Sequence, residues 1–394
     1  MDKRTGLPIV GMVGGGQLAR MTHQAAIALG QSLRVLAADE NDSAGLVAGQ
    51  VVLGSHTDLD KLREFSSTVD VLTFDHEHVP GEHLQTLTYE GVVVRPGPDA
   101  LLHAQDKLVM RERMQSTGIP GPAFARVSDV DDVLAFGEAQ SWPIVLKAAR
   151  GGYDGRGVWM LDSAEEAANL VPELIEAGTP LLVEQKVAMR RELAALVARS
   201  PFGQGAAWPV VETVQRDGIN TEVLAPAPGL SQEKWQQAQD LALRVAADLE
   251  VVGVLAVELF ETDEGLLVNE LAMRPHNSGH WTMDGARTSQ FEQHLRAVLD
   301  YPLGTTELLA PHCVMANVLG APEAPRMGPD ERVHHLFARY PDVKVHLYGK
   351  GERPGRKLGH VNLLGDDLDD LRHRGKLAAH WLSHAEWLDG HEIH

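Results

Sequence analysis

Two glutamates, Glu258 and Glu270, each interrupt an otherwise apolar run, VLAVELF and LLVNEL, on either side of Asp263, Glu264 and Gly265. Apolar runs around a glycine-containing turn predict a β-hairpin. With the turn centred near Glu264, the two carboxylates stand opposite each other on one face of the sheet. Like charges placed there cost roughly 0.2–1 kcal/mol, and both runs otherwise read as buried on both faces. A hard divalent cation with oxygen ligands, magnesium above all, resolves the repulsion, and magnesium commonly accompanies a phosphate substrate. An exposed face with two solvated acids is the alternative.

Phosphate chemistry has two further footholds. The loop RGGYDGRG (150–157) places Gly151, Gly152, Gly155 and Gly157 around Tyr153, Asp154 and Arg156, directly after Lys147. Glycines let backbone N–H groups close around phosphate oxygens, and a lysine supplies a point charge. The pattern is not G-x-x-x-x-G-K-[ST], so no P-loop is expected. A hairpin turn preceded by a snorkelling lysine reads equally well. Glu184 in LLVEQKV suits the edge of a nucleobase and its ribose, with backbone groups for the base and a carboxylate for hydroxyls. Lys350, Arg353, Arg356 and Lys357, interleaved with glycines and Pro354, form the densest basic cluster of a chain whose formal charge is −20. A solvated charge run is the usual account of such a stretch; in so acidic a chain a phosphate-monoester pocket is favoured. Arg274, His276, Asn277, His280 and Trp281 crowd the segment after the hairpin.

The elements that must position these residues begin with strands at 8–13, 33–39, 71–74 and 92–94 alternating with helices, which implies a parallel, doubly wound sheet. Gly14, Gly16 and Ala19 fit G-x-G-x-x-A after the first strand, with Asp39 following, a weak dinucleotide signal that would make a nicotinamide oxidoreductase. Asp75, His76, Glu77, His78 and His83 follow the strand at 71–74; their spacing matches no metal-binding helix, and a ligand crevice or a plain surface loop accounts for them. A single helix is expected over 99–117. A compact α+β unit then has helices at 129–140 and 163–177 and strands at 144–149, 158–161 and 181–187. Long strands follow from Arg191, and Ser231 caps a helix to about Leu249. The expected domains are 1–104, 105–123 with 188–320, 124–187, and 321–394. A length of 394 residues suffices for two or three domains with full cores. The acidic balance argues against nucleic acid. The absence of a spanning apolar stretch or an apolar leader, and the lone Cys313, make a cytoplasmic, membrane-free location the expectation.

Together these features resemble the ATP-grasp fold, an α/β and α+β architecture with a Rossmann-like first domain, a small lid and a C-terminal subdomain. GGGQLARM, KAARGGYDGRGV, EQKV, VNELAMRPHNSGHWT and GKGERPGRKLGHV are similar to the 5-(carboxyamino)imidazole ribonucleotide synthases of bacterial purine synthesis, over about residues 7–388. The resemblance implies that ATP is held by Lys147, the loop Gly152, Tyr153, Asp154, Gly155, Arg156, Gly157 and Val158, the strand Glu184, Gln185, Lys186 and Val187, and Glu192. It implies magnesium on Glu258 and Glu270, with Asn269 alongside. Strand alternation puts Asn269 on the face opposite Glu270, so its contact needs a twist or its backbone. Tyr153, Asp154, Arg156, Arg274, His276 and Asn277 would surround bicarbonate and the aminoimidazole. Lys350, Arg356 and Lys357 would grip the ribotide phosphate, Gly15, Gly16, Gln17 and Leu18 would line its site, and Glu77 would lie near the ribose or imidazole. Lys107 and Gln215, both at the nucleotide, replace the family's usual arginine and histidine. The implied reaction makes carboxyphosphate from bicarbonate and ATP, then carboxylates the exocyclic amine of 5-aminoimidazole ribonucleotide, directly or through released carbon dioxide. ADP and phosphate leave, and a homodimer is implied. A formate-dependent ribotide transformylase, a biotin carboxylase and a non-catalytic nucleotide sensor are the rival readings.

Overall fold

The structure, a computed structural model, describes residues 1–151 and 157–392. Gly152, Tyr153, Asp154, Gly155, Arg156 and the tail residue His394 lie outside the described residues.

The chain opens with β1 (Ile9–Val13), α1 (Gln17–Ala28), β2 (Ser32–Ala37), β3 (Val51–Leu53), α2 (Leu59–Ser66), β4 (Val71–Phe74) and α3 (Gly81–Tyr89). The sheet runs β3-β2-β1-β4 and is parallel throughout. β1 and β4 are buried at every position, which is why they read as continuous apolar runs. The expected strand at 92–94 is reduced to one bridge, Leu72 to Val94. The single helix expected over 99–117 is two, α4 (Pro98–Gln105) and α5 (Lys107–Ser116). Asp106 breaks it by adopting extended geometry (φ −131°, ψ 107°) and capping α5 through the amides of Leu108 and Val109.

The compact α+β unit comprises β5 (Phe124–Val127), α6 (Val130–Gln140), β6 (Ile144–Ala148), β7 (Val158–Leu161), α7 (Ala164–Glu176) and β8 (Leu181–Gln185). Its antiparallel sheet runs β5-β8-β6-β7. β8 ends at Gln185, so Lys186 and Val187 lie beyond the strand expected to include them.

The largest sheet is antiparallel and joins β9 (Arg191–Arg199), β10 (Gly205–Ala207), β11 (Val211–Arg216), β12 (Ile219–Ala225), β13 (Gly253–Glu261), β14 (Leu266–Ala272) and β15 (His312–Leu319) to β16 (Lys344–Leu347) and β17 (Lys357–Gly365). Its order is β14-β13-β9-β11-β12-β15-β17-β16, with β10 on β9. Helix α8 (Gln232–Asp248), capped by Ser231, covers one face. Leu193, Ala195 and Val197 of β9 pack in the core that holds Ala238, Ala242 and Val245 of α8, while Ala194, Leu196 and Ala198 pack with Trp208 and Trp281 behind it. Helices α9 (Thr282–Gly285), α10 (Gln290–Val298), α11 (Pro329–Arg339) and α12 (Leu368–His384) complete the chain. The segment after residue 321 thus extends this sheet through β16 and β17.

Candidate active site

The hairpin β13–β14 sets Glu258 directly across from Glu270. The route differs from a simple turn centred on Glu264. Glu261 pairs with Leu266 and Leu259 with Val268, so the ladder leaves the turn half a residue earlier, and a bulge at Asn269 restores the Glu258–Glu270 pairing. Val268 and Leu271 both pack in the α8 core. The two residues between them therefore both leave that face, which overturns the expectation of Asn269 opposite Glu270. Its side chain accordingly meets Lys147, whose Nζ donates to Asn269 Oδ1 at 3.4 Å.

Burial first, then the charges of Glu270 and Glu192, push the Glu258 carboxyl well above the usual carboxylate range. Lys107, the first residue of α5, donates to Glu270 Oε1 at 2.6 Å. A site that favours a proton on one acid and a lysine on its partner is a site short of positive charge. Among the described residues no three His, Cys, Asp or Glu side chains form a cage of their own. Magnesium fits such a place, since it takes one or two carboxylates and completes its shell with phosphate oxygens and water.

Glu184 sits in a different role from the one read in the sequence. It is 2 % exposed, and its oxygens accept from Arg111 Nε at 2.6 Å and Lys147 Nζ at 2.7 Å. Burial alone would raise its pKa; the charges and hydrogen bonds of Lys147 and Arg111 outweigh that and bring it to about 2. The carboxylate expected to face hydroxyls is instead the anchor of Lys147. Arg111 also donates to the carbonyls of Val268 at 2.6 Å and Asn269 at 2.8 Å, which ties β8 to the bulge. Glu192 lies beside Gln215 and Lys147, and burial raises its pKa. Gln185, Lys186 and Val158 are exposed, with Val158 paired to Lys147 across the β6–β7 ladder and Gly157 and Val187 partly buried.

Lys350 donates to Gln17 Oε1 at 2.5 Å, at the first turn of α1. Burial, then the neighbouring charge of Arg356, lowers the Lys350 pKa to about 8, with Lys357 adding to it. Gly15 and Leu18 are buried beneath this turn. The glycine fingerprint is filled from within the protein. A Cβ on Gly14 would collide with Asp75 Oδ1, and one on Gly16 would come within 2.5 Å of Oδ2. Burial raises the Asp75 pKa to about 6, against hydrogen bonds from the Gly16 and Ala19 amides and the charges of Arg274 and Lys350. A pyrophosphate would need that cradle. Asp39 is bound up in its own turn, accepting from the Asn41 amide at 2.8 Å and side chain at 2.9 Å. The nicotinamide reading has no vacant site there.

Arg274 donates to Glu77 Oε2 at 2.7 Å, while the buried Glu77 Oε1 has no hydrogen-bond partner among the described residues. His276 Nε2 lies 3.6 Å from Glu258 Oε1. Its Nδ1 accepts from the Ser278 amide at 3.4 Å and meets Ser278 Oγ at 2.9 Å, so the proton belongs on Nε2. Burial, then Arg274 and Lys357, lower its pKa to about 3, and the ring is neutral. Asn277 exchanges hydrogen bonds with Asn317 of β15, at 3.0 and 2.8 Å. The histidines at 56, 76 and 78 pack on one another, with ring centroids 4.7 and 5.2 Å apart.

Comparison with known proteins decides the family. Family models match in three places: the ribonucleotide synthetase preATP-grasp domain over residues 7–105, the ATP-grasp domain over 112–291, and the phosphoribosylaminoimidazole carboxylase C-terminal domain over 313–374. An N5-carboxyaminoimidazole ribonucleotide synthase of Mycobacterium tuberculosis is 63% identical over 388 residues, covering 98% of this chain and 90% of that protein. The chain belongs to the N5-carboxyaminoimidazole ribonucleotide synthase family. Its Corynebacterium ammoniagenes member is 51% identical over 98% of this chain and 94% of its own. The Thermus thermophilus synthetase structure superposes with a TM-score of 0.85 at 36% identity, covering 96% of this chain and 99% of that one. An Aspergillus clavatus synthase in complex with ADP and 5-aminoimidazole ribonucleotide gives 0.84 at 32%, over 95% and 98%.

As a synthase-family member the chain is an ATP-dependent carbon–nitrogen ligase with the ATP-grasp fold, as the sequence motifs implied. Arg111, Asn317 and Gln290 are not among the residues that the sequence motifs single out, and Asp75 stands there only as part of a polar loop. Arg111 left a trace: it stands on the buried stripe Leu108, Arg111, Met114 of α5, where an arginine needs a buried partner.

Proposed function

We propose that the chain uses ATP and bicarbonate to carboxylate the exocyclic amine of 5-aminoimidazole ribonucleotide. The observation that carries this is the Glu258–Glu270 pair itself, with Lys107 on Glu270, His276 beside Glu258 and Lys147 on the neighbouring Asn269. A triphosphate over Lys147 and a ribotide over Lys350 meet at those acids. Glu258 and Glu270 would hold magnesium, with Asn269 alongside, and the ion would spread negative charge off the phosphate oxygens.

Bicarbonate oxygen attacks the γ-phosphorus and ADP departs with the cleaved P–O pair, leaving carboxyphosphate. The ribotide amine, or carbon dioxide captured by it, then gives the N–C bond as phosphate leaves. Arg274 stabilises the anionic carboxyl oxygens. The unpartnered Glu77 Oε1 accepts from a ribotide hydroxyl. Because Nε2 of His276 carries the hydrogen, that ring serves as a donor at the acid pair. The amine proton falls to Asp154, a residue outside the described part of the chain. Lys350, Arg356 and Lys357 take the ribotide phosphate.

Mixing enzyme, ATP, magnesium, bicarbonate and ribotide should release phosphate only when the ribotide is present. Full turnover without ribotide, or with formate in place of bicarbonate, would contradict the reading. Glu270→Gln should abolish turnover, and wild-type rates in that variant would remove the metal argument. A cytoplasmic homodimer goes with the same reading. Among the described residues no helix is long and apolar enough to cross a membrane. Light scattering of the purified chain tests the dimer, and a monomer mass would refute it.

A further inference from the structure

Gln290, the first residue of α10, is fully buried. Its Oε1 accepts from the His276 amide at 2.8 Å, and its Nε2 donates to the His276 carbonyl at 2.8 Å. The second hydrogen on Nε2 reaches His280 Nδ1 at 2.9 Å. Only one orientation of the amide satisfies a donor and an acceptor of the same residue, so the His276 main chain fixes it. The Gln290 amide N–H donates to Thr282 Oγ1 at 2.9 Å, which holds the start of α10 in place. Gly279 makes room, since a Cβ there would collide with Gln290 Oε1. Residue 276 itself lies between β14 and the turn at 277–279, outside any strand ladder that could locate it.

We propose that Gln290 is the positioning residue for His276: it clamps the main chain at 276 and so delivers the imidazole beside Glu258. The proposal rests on the role given to His276 in the carboxylation above. Gln290 acts on the reaction only through that ring, and His280 completes the clamp from behind.

A double-mutant cycle tests this. Gln290→Met keeps the side-chain length and removes all three hydrogen bonds, and His276→Ala removes the ring. Each alone should lower kcat by about tenfold or more while KM for ATP stays within about twofold, and the double variant should be no slower than His276→Ala. Losses that multiply would overturn the clamp, because Gln290 would then act independently of the ring. Gln290→Glu is the second variant should Gln290→Met fail to fold. It keeps the acceptor for the His276 amide but turns an oxygen toward the His276 carbonyl and His280 Nδ1. It should behave as Gln290→Met, and wild-type kcat in Gln290→Glu would also overturn the proposal. A His276→Ala enzyme with unchanged kcat would instead remove the role of His276, a result readable from that single variant alone.

Discussion

Glu184 and Glu258 are both carboxylates drawn into the protein, and their surroundings push them in opposite directions. Glu184, paired with Lys147 and Arg111, titrates at about 2. Its ionised form therefore adds stability above the unfolded value near 4.5, lost as pH falls from there through about 2. At 1.36 kcal/mol per unit that is about 3 kcal/mol. Glu184→Gln should lower the melting temperature at pH 7 and raise KM for ATP, because Lys147 loses its anchor. An unchanged KM would show that Lys147 is held by something else. Glu258 is raised, chiefly by burial and then by Glu270 and Glu192. Its charge opposes folding at pH above the raised value, and that penalty fades as pH falls to the ordinary carboxylate range. Metal-free Glu258→Gln should accordingly melt higher than wild type at pH 8, lose that advantage by about pH 4.5, and have no turnover. A lower melting point at pH 8 would refute the repulsion. At this scale acids and lysines are legible in the sequence by their intrusion into apolar runs. Glu184 reads there as a partner for hydroxyls because Arg111, which holds it, is 73 residues away in the chain. Asp75 is opaque for the same reason: Gly14 and Gly16 read as a ligand cradle, and only the fold shows it filled by the carboxylate that follows β4.

Elements long enough to bury a face announced themselves. β4, β7 and α8 with its Ser231 cap stand where apolar pattern and cap placed them. β3, β5 and β10 did not, because they are short and mostly half-exposed, with no alternation to read. The bulge at Asn269 exists only in the pairing of β13 with β14, so a single strand could not disclose it. The break at Asp106 was legible in principle, as an aspartate at an N-cap inside a helical stretch. That break has a use. It starts α5 at Lys107 and so directs the lysine to Glu270. Asp106→Ala should lower stability by about 1 kcal/mol and raise KM for ATP, whereas Asp106→Asn, still able to cap, should keep both. Asp106 also pairs with Arg150 at 2.7 Å, but Arg150 is 56% exposed and that pair adds little. An alanine variant indistinguishable from wild type would mean that the α4–α5 break is set instead by the hydrogen bond that the Lys107 N–H donates to the Ala149 carbonyl.

Across the whole molecule, the proposed function needs two binding regions, built from different sheets, to meet at one acid pair. On that proposal the nucleotide side would draw on β6 and β8 with α5, and the ribotide side on α1, the loop after β4 and the β16–β17 connection, where the Lys147–Glu184, Lys350–Gln17 and Arg274–Glu77 contacts lie. A chain of net charge −20 would bind two phosphorylated ligands through cations gathered locally, since its overall field repels them. Separate cation clusters predict separable binding. A ligand at 100 times its Kd stabilises the folded state by about 2.7 kcal/mol, so each ligand should raise the melting temperature alone. Lys350→Ala should keep the rise caused by magnesium–ADP and lose the rise caused by ribotide. Lys147→Ala should do the reverse. Lys350 donates to Gln17 and Lys147 is held by Glu184, with no residue common to the two contacts, so neither substitution removes the other's partner. Loss of both ligand responses in either single variant would show that the two regions fold or close as one unit, and the picture of independent halves meeting at Glu258 and Glu270 would have to be abandoned.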